Sequence, residues 1–544
     1  MISHGRLDEH LKFLIAEVEA QLRRTQAFLS SPEEEPSPRL KEREDRINNL
    51  TVLIHRKAFA LAPVVAEDER TSVDMLQAYA VVAANLESVA DHCESVVEQV
   101  RYIEDLEVLE QQDFTPSFDL VLGAVAEIPV AVFGKDVDAA LRICQAEHDL
   151  DQVYVREFHG QLEALQEQDK GESAQTLVTI IFILRYLERM GDALLNVGEA
   201  ILGVCLGEPI KINRLRALEE SLESTGGIDS IGDVSLRPMA ETRSGCRISR
   251  VDGARGDGPV IFKQGSLRKL EAEKRNSEAW QDVQPGLAPT VQSFQRTGRE
   301  GAILLDYLPG DTFEEIVLEG DAAALDDALG LLSETVTSVW TTTRAPQETP
   351  GGFMEQLTGR LPDVYSIHPR LRRGPQLLGA HEHRSFEALL ADAQVLEAQL
   401  PSPFVVFAHG DFNVDNIIVN AGERQVHFID LHRSRMLDYV QDVAVFLVSN
   451  HRLQAFDRSR RRRIARAMEG MFSTAQTFAR SVGDETFEAR LALGLARSWA
   501  TSTRFVLVPW FARTLFLRSG YLLERLLSSD DPASFRLPLE VLRD

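Results

Sequence analysis

Apolar residues recur every three or four positions through the first 206 residues. Leu11, Leu14, Ile15, Val18 and Leu22 make one stripe, and Ile47, Leu50, Leu53 and Ile54 another. That spacing predicts amphipathic helices. The prolines of this region fall at Pro32, Pro36, Pro38, Pro63, Pro116 and Pro129 and separate long helical segments. Long segments between few breaks suit an elongated bundle of antiparallel helices. After about residue 237 the pattern changes. Gly245–Val251 and Pro259–Phe262 are short β-like runs joined by the glycine-rich turn Asp252–Gly258. Leu267–Trp280 reads as a helix, and Ala302–Tyr307, Phe404–Phe407 and Val426–Ile429 read as strands. Helical patterns return from Asp438. The expected architecture is multidomain: an all-α region over 1–206, a Gly/Ser/Asp-rich flexible linker over 207–236, and an α+β domain over 237–544. The last would divide into a sheet-rich lobe, 237–308, and a helical lobe, 309–544.

The helical region repeats itself. Asn85–Asp91 (Asn-Leu-Glu-Ser-Val-Ala-Asp) parallels Tyr186–Asp192 (Tyr-Leu-Glu-Arg-Met-Gly-Asp) at an offset of 101 residues, and Ser95 and Glu98 match Asn196 and Glu199 at the same offset. Glu44 and Asn48 parallel Glu147 and Asp151 at a similar offset. The order implies two three-helix units, about 7–104 and 108–206.

Composition sharpens this division. The chain has 544 residues, 84 acidic against 58 basic, for a net charge of −26. Residues 1–206 hold 38 acidic and 18 basic residues and so carry −20 of it. A balance this acidic argues against nucleic-acid binding. No run of 18 apolar residues and no apolar leader near Met1 is evident, so neither a transmembrane helix nor a secretory signal is expected. Cys93, Cys144, Cys205 and Cys246 lie at neither metal nor disulfide spacing, which fits a reducing cytoplasm.

Much of the acidic excess is patterned. Glu87 and Asp91 are four residues apart on one helical face, with Glu98 two turns on; Glu188, Asp192 and Glu199 repeat the arrangement. Glu44, Glu147 and Asp151 can face them from neighbouring helices. A single Glu-x-x-x-Asp is ordinarily a solvated face, but the repeat in apolar surroundings favours cation binding or a buried network. These segments resemble the paired signatures of the PhoU phosphate-uptake regulators. The resemblance implies tandem three-helix bundles with multinuclear metal clusters (Fe, Mn, Zn or Mg). Glu87, Asp91, Glu188 and Asp192 would be ligands, backed by Glu98, Asn196, Glu199, Glu147 and Asp151. It further implies a regulatory module linked to phosphate status, a phosphate-signalling partner, peripheral contact with a transporter and a homodimeric option. Ala90, where the second copy has Gly191, and Asn48, where an acid is expected, depart from the pattern.

The second half carries a more specific motif: His409-Gly410-Asp411-Phe412-Asn413-Val414-Asp415-Asn416, with Ile429-Asp430 after the next strand. Phosphoryl transfer needs a carboxylate that orients the acceptor hydroxyl and groups that hold Mg²⁺ on the nucleotide phosphates. Asp411 suits the base, and Asn416 with Asp430 the metal. Upstream, Pro259–Lys263 reads as a strand ending in a lysine able to pair ATP phosphates and a helix glutamate, for which Glu273 is favoured. Ile303–Gly310, with Asp306 and Leu308, suits a hinge for adenine. This half is similar to the aminoglycoside phosphotransferase and choline-kinase-like superfamily over about 237–525. The likeness implies an ATP- and Mg²⁺-dependent kinase with a small-molecule alcohol as acceptor, and it gives Asp438 and Asp442 the task of holding the catalytic loop. The phosphate-covering loop is reduced to Arg243–Ile248 with the single glycine Gly245, and Asp430 is followed by Leu431-His432. The alternative is therefore a nucleotide-binding regulator without catalysis. The basic run Arg458 to Arg463 is expected to be a solvated face, the alternative being capture of a phosphorylated or acidic partner. Trp499, Phe505, Trp510 and Phe511 are expected in the core.

Overall fold

The computed structural model describes residues 2–32, 38–64, 70–103, 106–166, 174–226, 228, 230–239, 247–254, 258–378 and 381–542. The chain forms two compact units, Met1–Lys263 and Gln264–Asp544.

In the first unit α1 (Ile2–Ser30), α2 (Pro38–Leu61) and α3 (Arg70–Val100) form one three-helix set, and after the short α4 (Leu106–Glu110), α5 (Thr115–Gly134), α6 (Val137–Gln166) and α7 (Ala174–Leu206) form the second. The predicted stripe is the reason α1 packs: Leu11, Leu14, Val18 and Leu22 are fully buried. In α2, Ile47 and Ile54 are buried whereas Leu53 is exposed. The two sets join where α3 packs along α7, and α6 packs along α7 over a long contact. Gly198 allows that approach. A Cβ there would meet the Cys144 sulfur and come within 3.0 Å of the Ala140 carbonyl. α5 is long and apolar enough to cross a membrane by length and composition alone. Asp119 and Glu127 interrupt its apolar run, and Phe118, Val121, Val125 and Ile128 are buried within the unit.

The expected linker is partly built into regular structure. Ile212–Glu223 is a helix, α8, with Leu215, Leu218 and Leu222 buried. Ser235–Pro238 is a strand, β1, paired antiparallel with β2 (Arg247–Asp252), Ser235 opposite Asp252. The Gly/Ser/Asp composition hid an amphipathic turn of helix and a short strand. The boundary between the two compact units falls within β3 (Val260–Ser266). A buried trio helps fix β2 in the first unit. Arg214 on α8 pairs with Glu208 at 3.3 Å and donates to Ser249 of β2 at 2.5 Å, while Ser249 donates to Glu208.

The second unit begins with α9 (Leu267–Val283), then a hairpin of β4 (Val291–Thr297) and β5 (Glu300–Asp306). A two-residue β6 (Asp311–Thr312) leads into α10 (Phe313–Glu319), whose start is a capping box between Thr312 and Glu315. There follow α11 (Ala322–Thr343), α12 (Phe353–Ile367), the small hairpin β7 (Gln376–Leu378) and β8 (His381–His383), and α13 (Phe386–Glu397). β9 (Val406–Ala408), β10 (Ile417–Asn420), β11 (Gln425–Phe428) and β12 (Arg435–Leu437) frame the motif loop. β10 lies between β11 and β6, and β9 pairs with β12. The helices α14 (Val440–His451), α15 (Arg458–Val482), α16 (Phe487–Ser502) and α17 (Pro509–Leu527) complete the unit. The core gathers Trp280, Phe313, Trp340, Phe412, Phe428, Tyr439, Phe446 and Trp499 beneath that loop.

Two expectations change here. Trp499 and Phe511 are core, but Trp510 is 58% exposed and Phe505 39%. The basic run is not simply solvated. Arg460 and Arg463 donate to the Leu318 and Val317 carbonyls at the end of α10, groups that have no partner inside their own helix.

Candidate active site

The loop after β9 holds its shape through buried polar contacts. Gly410 has φ +80°, and a Cβ there would meet the Arg433 carbonyl at 2.5 Å. Only glycine takes that turn without strain. The Asp442 carboxylate of α14 accepts from the His409 and Gly410 backbone N–H groups at 2.7 and 2.8 Å. Burial pushes its carboxyl up to about 7, against the pull of those two N–H groups. His409 is fully buried and held neutral by its burial. Its Nε2 lies 2.9 Å from the Ile429 carbonyl and its Nδ1 accepts from the Asp411 N–H, which sets the tautomer as Nε2–H. Gly410→Ala is expected to lower turnover and cost about 1–3 kcal/mol, since strained backbone and a clash with a carbonyl coincide; urea unfolding of the variant checks this.

On this scaffold Asp411, Asn416 and Asp430 are placed on adjoining turns. Asn416 donates to the Asp411 carbonyl at 2.9 Å, and the Ile429 N–H donates to the Asn416 carbonyl at 3.1 Å. The first contact occupies the amide nitrogen of Asn416 and leaves its oxygen as the end suited to a cation. Asp430 sits in left-handed backbone, φ +60°, an outlier for a residue with a Cβ and a common mark of functional positions. The Asp411 carboxylate accepts from Asn413 at 2.9 Å and pairs with Arg433 at 3.0 Å. Asp430 pairs with His432 at 3.1 Å. An Asn oxygen and a carboxylate are hard donors, the set that Mg²⁺ takes, so these residues fit the expected ion.

Of the other expected positions, Lys263 is buried on β3 and Glu273 is buried on α9. Asp306 ends β5 and accepts from Gln292 at 2.6 Å; Leu308 follows it, half-buried. Gly245 lies outside the described residues. Among the described residues Asp438 makes no side-chain hydrogen bond to the loop; it pairs with buried Arg490. Arginines from separated elements, Arg360, Arg433, Arg497 and Arg504, also surround Asp411 or one another. Only Arg433, three residues past Asp430, stood near a motif in the sequence.

In the bundle, no group of three or more His, Cys, Asp or Glu suited to a metal ion forms among the described residues. The reasons are local. Glu98 and Asp192 are exposed. Glu188 is buried but pairs with Arg185. Glu199 is taken by Lys211 and by the Ile212 N–H at the start of α8. Glu87, Asp91 and Glu147 are half-buried, and burial foremost raises their carboxyl groups. Asp151 is half-buried beside Glu147 and Glu188. Glu44 is pushed up to about 7 by burial, then by Glu94 and Asp91. The unfolded chain releases this proton near 4.5, so folding takes up a proton between about 4.5 and 7. Stability of the bundle is expected to fall as pH rises through that window, and Glu44→Gln to flatten the dependence, read by thermal melts from pH 4.5 to 8.

Comparison with known proteins also divides the chain in two. The PhoU domain model matches residues 11–100 and 117–201, and the phosphotransferase enzyme family model matches 250–478. A phosphate-specific transport system accessory protein PhoU homolog from Clostridium acetobutylicum is 26% identical over 180 residues, 32% of this chain and 78% of that protein. Among solved structures, PhoU from Pseudomonas aeruginosa aligns at 19% identity with a TM-score of 0.33, covering 38% of this chain and 98% of its own. An aminoglycoside phosphotransferase from Streptomyces rimosus aligns at 19% identity with a TM-score of 0.35, covering 53% of this chain and 98% of its own. With the helical repeat on one side and the Asp411 loop on the other, the chain carries an amino-terminal PhoU domain followed by a domain of the phosphotransferase enzyme family.

Proposed function

We propose that the second domain transfers the γ-phosphoryl group of ATP to a hydroxyl of a small molecule. The observation that carries this reading is the single corner holding Asp411, Asn416 and Asp430, locked by the Asn416–Asp411 and Ile429–Asn416 hydrogen bonds. Asp411 orients the acceptor hydroxyl and takes its proton, with Arg433 and Asn413 fixing the carboxylate. Asn416 and Asp430 would hold Mg²⁺, which would neutralise charge on the nucleotide phosphates. Lys263 is assigned to the ATP phosphates, and the stretch from Asp306 to Leu308 to the adenine. The PhoU domain serves as a regulatory module, in a cytoplasmic protein, by analogy with relatives named as accessory proteins of phosphate transport.

A second reading is nucleotide binding without transfer. It is favoured by one observation, that Arg433 and His432 already engage Asp411 and Asp430. ADP release from Mg·ATP across a panel of small alcohols separates the two. The enzyme reading expects acceptor-stimulated release that falls at least tenfold in Asp430→Asn. Equal, negligible release by both proteins with nucleotide binding intact would favour the regulator.

A further inference from the structure

Several arginines lie near Asp411. Arg433 reaches it from the turn after Asp430, at 3.0 Å. Arg497 of α16 is 4% exposed; it donates to Gln441 at 2.6 Å, and Gln441 donates to the Gly410 carbonyl at 3.1 Å, which ties this arginine to the catalytic loop. Its Nε is buried without a hydrogen-bond partner, as is that of Arg504. Arg504 reaches Asp363 only at 3.4 Å. Arg360 of α12 is half-buried and makes no hydrogen bond among the described residues. These arginines lie within electrostatic reach of one another. Burial first, and then Arg504 and Arg433, lower the proton affinity of Arg360. Burial first, and then Arg360, bring Arg497 down to about 10.

The facing acids do not balance them. They are Asp411, Asp363 and Glu397, and Glu397 is committed to the Phe353 and Met354 N–H groups at the start of α12, at 2.6 and 3.1 Å. Buried guanidinium groups with unused donors are costly unless an anion joins them. The planar donor fork suits carboxylate and phosphate oxygens. A base must lie within hydrogen-bond reach of the hydroxyl it deprotonates, so groups around Asp411 also surround the acceptor.

We propose that the acceptor is an anion: a small alcohol bearing a carboxylate or phosphate group, seated by Arg360, Arg497 and Arg504 with its hydroxyl at Asp411. This deepens the phosphotransferase reading and rests on it. In the step, the acceptor oxygen bonds to the γ-phosphorus, the bond from that phosphorus to the β–γ bridging oxygen breaks, the hydroxyl proton passes to Asp411, and ADP leaves. A cationic amino alcohol would be repelled by the same arginines.

The test uses the full chain saturated with Mg²⁺ and a non-hydrolysable ATP analogue for binding, and Mg·ATP for turnover. Glycerate and glycerol 3-phosphate are the anionic probes, glycerol the neutral one, choline and ethanolamine the cationic ones. Glycerate or glycerol 3-phosphate is expected to raise the melting temperature, the better of the two telling carboxylate from phosphate, while choline and ethanolamine do not. Arg360→Gln and, separately, Arg504→Gln should each weaken that binding and raise the acceptor KM about tenfold, the loss of one charge-assisted contact. Stabilisation by the cationic or neutral alcohols alone, or by none of the probes, overturns the proposal. So does a fall in kcat at unchanged acceptor KM, which would place the arginines on the transferred phosphoryl group. Arginine-dependent anion binding without ADP release would instead overturn the enzyme reading and leave the anion site standing.

Discussion

Asp411→Asn is expected to lower acceptor-dependent ADP release by about 10²–10⁴-fold, the usual contribution of a positioned general base. Asparagine keeps the shape and still accepts from the Asn413 amide, which now donates to Asp411 at 2.9 Å. It loses the capacity to take a proton and the ionic half of the contact with Arg433. The loop itself should persist, because His409 and Gly410 are held by Asp442 and not by the Asp411 side chain. Nucleotide affinity and melting temperature should therefore change little. A variant that unfolds, or that keeps its turnover, would remove Asp411 from the role of base.

Arg490→Leu is expected to destabilise the second unit by about 3–5 kcal/mol, the range for removing one partner of a buried ion pair. Arg490 is 1% exposed and binds both Asp438 and Asp484. Tyr439 adds a hydrogen bond to Asp484 at 2.7 Å. Without the guanidinium two carboxylates stay buried with no counter-charge. Asp438 also caps the start of α14 by accepting from the Val440 N–H at 3.1 Å. Asp442 lies on that helix, so loosening the network should weaken the catalytic loop as well as the core. Urea unfolding followed alongside ADP release checks both effects. If Arg490→Leu/Asp438→Leu/Asp484→Leu is no more stable than Arg490→Leu alone, uncompensated charge is not the cause.

How much of this was legible follows from how local each signal is. The α1 stripe of Leu11, Leu14, Val18 and Leu22 is set by helical periodicity, and it is buried as that periodicity predicts. Asp411, Asn416 and Asp430 lie within 20 residues, so turn and strand geometry fixes their proximity. The built segment 207–236 was obscured because the helix Ile212–Glu223 adjoins glycine-rich sequence, and composition spoke for the whole. The bundle acids show the limit of motif reasoning. Spacing placed Glu199 on the right helix, but only the structure shows Lys211 and the start of α8 claiming it. The arginines around Asp411 come from α12, α16 and two loops, and no local pattern links them.

The fate of the γ-phosphoryl group decides whether this protein is a phosphotransferase. The full chain is incubated with Mg²⁺, γ-labelled ATP and an anionic alcohol, and the products are separated. Label esterified to the alcohol is expected with wild-type protein, and essentially none with Asp411→Asn. Label released only as inorganic phosphate, or esterified equally by both proteins, would contradict that expectation.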